Sequence, residues 1–105
     1  MSNKKEHYNQ GLDLFGQAHY EEAIAEYDQA IACDPNDGEL YLAKSMAYHR
    51  MKDLDRALEA AKQAVVLSPR EPLFYTNLSR IYQQKGMIDE AEEAMAISRQ
   101  LSMGF

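Results

Sequence analysis

Shifted by 34 residues, this 105-residue chain falls into register with itself. Ala23, Ala57 and Ala91 align under that shift, as do Ala30, Ala64 and Ser98, so small side chains recur where large ones would hold two segments apart. The same shift aligns Leu14 with Tyr48 and Tyr82, Tyr20 with Leu54 and Ile88, Gly11 with Ser45 and Ser79, and Pro35 with Pro69. A fixed period of roughly 20 to 50 residues is the signature of a stacked array, in which each unit buries its apolar face on the next. Three copies cover Lys4 to Phe105. Local stacking suits a chain of this length, which buries only about 65% of the surface it exposes when unfolded.

Within each copy, two stretches of about 13 residues carry apolar side chains at spacings of three and four, the period of an amphipathic helix. Short polar breaks such as Gln17-Ala18-His19 and Lys85-Gly86-Met87 separate them. Asp34-Pro35-Asn36-Asp37-Gly38 and Ser68-Pro69-Arg70-Glu71-Pro72 combine helix stoppers with capping side chains, and Asn36 precedes Glu39 by three residues, the spacing of a capping box. The pattern predicts helices over 5–17, 21–33, 38–50, 54–67, 72–85 and 88–101, and no strand. The expected fold is all-α: three stacked helix-turn-helix hairpins forming an α-solenoid, one domain over 1–105 with repeats 4–37, 38–71 and 72–105.

Composition narrows the function. The longest apolar runs, Ala64 to Leu67 and Ala94 to Ile97, are far below the ~20 residues a spanning helix needs, and Met1 to Glu6 has no apolar signal core. The reading is a soluble, untargeted protein. One cysteine forms no internal disulfide, which points to a reducing compartment, the cytoplasm. Eleven bases against seventeen acids give a charge of −6, which disfavours nucleic acid and anionic membrane as partners. His7, His19 and His49 lack ligand spacing, so no metal is expected, and no phosphate loop or nucleophile motif suggests a cofactor or an enzyme. Glu90, Glu92 and Glu93 read as solvated charge at the start of the last helix.

The unit resembles the tetratricopeptide repeat: a small residue and an aromatic in the first helix, two alanines in the second and a closing proline. Copy one shows Gly11, Leu14, Tyr20, Ala23, Tyr27, Ala30 and Pro35; copy two shows Tyr41, Tyr48, Leu54, Ala57, Ala64 and Pro69. Copy three keeps Tyr75, Tyr82, Gly86, Ile88 and Ala91 but has Ser98 for an alanine and Met103 for the proline. The resemblance implies a right-handed superhelix whose first helices line a concave groove that binds proteins or peptides.

Positions that face a following hairpin hold Ile24, Leu58 and then Glu92, and Ile31, Val65 and then Arg99. Those facing a preceding hairpin hold Glu6, then Leu40 and Phe74, and Asp13, then Ala47 and Ile81. Polar residues at both ends favour a three-repeat array that stops by design. Cys33, in register with Leu67 and Leu101, is expected in the core. The closing Met103 and Phe105 have little to cover, so the tail is expected to pack back on the third hairpin or enter the groove of a second copy.

The expected groove residues form three rows on the first helices: Tyr8, Leu12 and Phe15 with Lys5; Leu42, Met46 and His49 with Glu39; and Leu73, Thr76, Arg80 and Gln83, with Asn77 alongside. Leu12 and Met46 stand in a row the family commonly leaves polar, and make an adaptable apolar floor for an apolar or amphipathic segment of a partner protein. Some family members grip an acidic chaperone tail with a two-carboxylate clamp. Its positions fall here on Tyr8, Leu12, Ala43, Leu73 and Asn77, of which Asn77 alone can donate a hydrogen bond, so such tails are not expected to bind. The rival expectation is a homo-oligomer assembled through the apolar groove and tail.

Overall fold

The computed structural model describes residues 3–104. Six helices follow one another: α1 (Lys4–Gly16), α2 (Tyr20–Cys33), α3 (Gly38–Arg50), α4 (Leu54–Leu67), α5 (Pro72–Gln84) and α6 (Ile88–Ser102), with no strand among the described residues. Each odd-numbered helix pairs with the next as a hairpin, and the hairpins stack into an α-solenoid 43 × 28 × 19 Å in extent.

Helix ends follow their capping chemistry. Asn3, Asp37 and Asp53 accept hydrogen bonds from the backbone N–H of Glu6, Glu39 and Arg56, at 3.0, 3.0 and 3.2 Å, and Pro72 opens α5 where no donor is needed. The cap of α3 is therefore Asp37 rather than the Asn36 of the expected capping box. The Asn36 N–H instead donates to Asp34 Oδ1 at 3.3 Å within the preceding turn. Each hairpin turn passes through the left-handed region at one register, with φ of 64° at Ala18, 63° at Lys52 and 78° at Gly86. Only the third copy has the residue that adopts this conformation without strain.

The recurring small residues let the helices approach. Ala23, Ala57 and Ala91 are buried, as are Ala30, Ala64 and Ser98. Opposite them Ser45 and Ser79 donate their hydroxyl protons to the carbonyls of Ala57 and Ala91, at 2.9 and 2.7 Å, so each interior hydroxyl is satisfied without separating the helices. Between hairpins, Ile24 packs with Ala43 and Ala47, while Leu58 and Val65 pack with Leu78 and Ile81. The end-register residues Glu6, Asp13, Glu92 and Arg99 are exposed.

Two expectations about apolar residues are corrected. Cys33 is exposed, not core. It ends α2 at a register where even Leu67 and Leu101 are only half-buried, and its shorter side chain gains still less cover. Met103 is 67% exposed and does not fold back on the third hairpin. Phe105 lies outside the described residues.

Candidate functional site

The first helices, α1, α3 and α5, form one face of the solenoid, but its two inter-repeat furrows differ. Between α1 and α3 lies an apolar cleft of about 90 Å³. Tyr8, Leu12 and Phe15 of α1 wall one side, and Leu42 and Met46 of α3 the other, with Glu39 of α3 as the one charged side chain in the lining. Its floor is Ala43 together with Tyr27, which belongs to the second-helix layer. Tyr27 reaches through because Gly11 has no side chain: a Cβ there would lie 2.4 Å from the Tyr27 ring. The Tyr8 and Tyr27 rings are tilted with centroids 6.1 Å apart, and Phe15 meets Tyr20 edge-on at 5.4 Å. At the far end Arg50 lies over the Phe15 ring, 5.5 Å from its centroid, fixing a cation at the lip.

The furrow between α3 and α5 is filled by polar side chains. Asn77 Nδ2 donates to Ser45 Oγ at 3.1 Å, and His49 Nε2 bonds Gln84 Oε1 at 2.8 Å. Leu12 and Met46 flank the apolar cleft with 42% and 40% of their surfaces exposed. Leu73 and Arg80 also stand in solvent on α5.

Two expected groove residues turn elsewhere. Asn77 is buried by its bond to Ser45 and is not offered to a ligand. Thr76 faces its own partner helix, its hydroxyl 2.8 Å from Ser98 Oγ on α6. Alanine stands at the Ser98 position in the other copies, so only the third hairpin has a hydroxyl to draw Thr76 inward. The structure thus brings together Tyr8, Leu12, Phe15, Leu42 and Met46; His49 closes the neighbouring furrow, and Leu73 and Arg80 lie beyond it. Sequence reasoning missed Tyr27. The signal was present: in the copy where glycine replaces serine at position 11, tyrosine replaces the alanine of position 61.

A larger furrow, about 350 Å³, lies between α3 and α4 against Tyr41, Tyr48, Arg56 and Glu59. Lys44 at its edge pairs with Asp28 of α2 at 2.8 Å. Its mixed charges select no ligand class.

Burial and, to a smaller degree, the neighbouring Tyr8 push the Tyr27 phenol up to about 12. An unfolded tyrosine ionises near 10, so folding keeps a proton that the unfolded chain releases above that pH. Stability from this group is intact below about pH 10 and is lost as pH rises toward 12, by roughly 2 kcal/mol at pH 11.5. Urea unfolding at pH 8 and 11.5 should show the wild type losing about that much more than Tyr27→Phe; equal losses would rule out Tyr27 as the source.

Residues 8–72 match a tetratricopeptide repeat profile, and residues 73–96 match a second. The chain belongs to the tetratricopeptide repeat family. Over 74 residues this tetratricopeptide chain is 34% identical to the general transcriptional corepressor ssn6 of Schizosaccharomyces pombe, covering 69% of this chain and 7% of that protein. It is 28% identical over 96 residues to photosystem I assembly protein Ycf3 of Prochlorococcus marinus, covering 82% of this chain and 56% of that one. The chain therefore spans little more than half of one relative and a small part of the other. Its fold is similar to the second tetratricopeptide domain of Spaghetti (RPAP3) bound to the HSP90 peptide SRMEEVD: TM-score 0.88, 22% identity, 93% of this chain and 91% of that one. No helix among the described residues is long and apolar enough to cross a membrane.

Proposed function

We propose that this chain is an adaptor whose concave face holds an apolar or amphipathic segment of a partner protein, its three repeats acting as one domain. The observation that carries this is the apolar cleft between α1 and α3 with Leu12 and Met46 half-exposed beside it. Large apolar side chains grouped around a concavity gain free energy when a partner covers them. A protein partner fits the family, and similar folds such as the Spaghetti domain are seen with a peptide. A single exposed thiol, which would cross-link copies under oxidising conditions, suits the cytoplasm.

The same chemistry argues against an acidic chaperone tail as ligand. Of the five clamp positions, Tyr8, Leu12, Ala43 and Leu73 offer no cation, and the amide of Asn77 is turned to Ser45. The peptide SRMEEVD is expected not to be held by its terminal carboxylate, so amidating that group should leave its calorimetric titration unchanged; tight binding that disappears on amidation would overturn the assignment of these rows.

The direct test is substitution. Leu12→Asp and Met46→Asp should each abolish capture of partner protein while stability stays within about 1 kcal/mol of wild type, since both side chains already meet solvent. A large fall in Tm would make them structural instead. Light scattering at micromolar concentration separates the rival: a monomer leaves the cleft free for another protein, whereas a dimer dissolved by Leu12→Asp would assign the cleft to self-assembly.

A further inference from the structure

We infer that the segment held in the groove is acidic as well as apolar: it seats an apolar side chain in the α1–α3 cleft and presents a side-chain carboxylate to Arg80, with Arg50 at the end of the cleft open to a second. This rests on the groove reading above and specifies its ligand.

The net charge of −6 is unevenly layered. The first helices carry five bases and three acids, whereas the second helices carry three bases and ten acids. The contrast sharpens toward the third repeat, where α5 has no acidic residue; α3 has only Glu39, which lines the N-terminal end of the cleft beside Tyr8, away from Arg50 and Arg80. Lys44 of α3 points away from the concave face, to Asp28. Lys4 is paired too, with Asp34 and Asp37, and Lys5 stands at the N-terminal end of the first-helix face beside Tyr8 and Glu39; Arg50 and Arg80 remain farther along it. Neither lies within ion-pair distance of a carboxylate among the described residues, whereas the first-helix bases Lys4 and Lys44 are both paired.

Position gives these two cations their meaning. Arg50 is held over the Phe15 ring at the end of the cleft. Arg80 shares a register with Leu12 and Met46, so the row along the groove reads apolar, apolar, cationic. The Ser45–Asn77 and His49–Gln84 bonds close the furrow in front of Arg80 to an apolar anchor. A segment crossing the first helices therefore meets an apolar socket between α1 and α3, with the Arg50 guanidinium at its end, and then the Arg80 guanidinium on α5. Guanidinium binds carboxylate through directed, charge-assisted hydrogen bonds. Nothing in this row requires a chain terminus, so an internal segment satisfies it.

Random dodecapeptides displayed on phage as internal segments, without a free carboxylate, provide the test. Panned on the full chain, the enriched peptides should combine a large apolar residue with net negative charge. A synthetic copy of the best one should bind Arg80→Glu at least about tenfold more weakly and show no binding to Leu12→Asp. Panning on Arg80→Glu should lose the preference for acids and keep that for apolar residues. Neutral or basic peptides that bind wild type and Arg80→Glu alike, yet fail on Leu12→Asp, would overturn the acidic requirement and leave the groove reading intact. No enrichment beyond that on Leu12→Asp would overturn both. A wild-type dimer that Arg80→Glu dissolves would assign the carboxylate to the acidic second-helix layer of another copy, against a foreign segment.

Discussion

Tyr27→Ala is expected to lower stability by about 3–5 kcal/mol, the range for truncating a large buried aromatic side chain. Tyr27 is 1% exposed and packs in one cluster with Ala23, Ile24, Ala43 and Ala47, so its removal leaves a void shared by the first two repeats. At roughly 4–8 °C per kcal/mol for a domain of this size, the Tm falls by about 12–40 °C. The informative arm is Gly11→Ser. Serine is what the register holds in both other repeats, yet its Cβ here would meet the Tyr27 ring at 2.4 Å, which predicts a loss of about 1–3 kcal/mol. In the double variant the ring that clashes is gone, and serine can donate to the Ala23 carbonyl as Ser45 does to Ala57. The two losses should therefore fall short of adding by about 1 kcal/mol or more in urea unfolding. Additive losses would mean that ring and glycine do not share one space.

That pair also marks the boundary of what the sequence made legible. Every observed helix begins and ends within one residue of its expected limits. The periodicity, the breaks and the register of small residues are local properties, and they repeat. Which faces meet across hairpins was legible too: Ile24, Leu58, Ala47 and Ile81 all pack between repeats. The candidate cleft was half legible. That Tyr8, Leu12, Phe15, Leu42 and Met46 line one cleft was legible because they share one face of their helices. Asn77, Thr76 and Tyr27 were misplaced or missed because register fixes where a residue leaves its helix, while its destination depends on what stands opposite. Asn77 turns inward because Ser45 accepts its proton, Thr76 because Ser98 replaces an alanine, and Tyr27 runs beneath α1 because Gly11 leaves a gap. These are pairwise facts, visible only when two departures from the repeat are read together.

The second large effect comes from the other inter-repeat interface. Ile81 is fully buried among Ala57, Ala61, Leu78 and Ala94. Its register in the second repeat holds Ala47, while the register of Ala61 in the first repeat holds Tyr27. The first interface thus combines a large residue from the second helix with a small one from the first, and the second interface reverses the choice. Close packing requires such exchange when two interfaces of one backbone plan are filled. Ile81→Ala puts a small residue against a small one, and should cost about 2–5 kcal/mol. Ala47→Ile puts a large residue against Tyr27, and should cost about 1–3 kcal/mol by overpacking. Because each repeat leans mainly on its neighbours, Ile81→Ala should raise amide exchange most in α5 and α6, whereas Ala47→Ile should raise it most in α1 and α2. Combining Ala47→Ile with Tyr27→Ala rebuilds the first interface on the plan of the second, and should recover part of the loss from Tyr27→Ala alone. If Ala47→Ile worsens that variant by its full separate cost, the two side chains do not compete for volume and the exchange of sizes between the interfaces is coincidental.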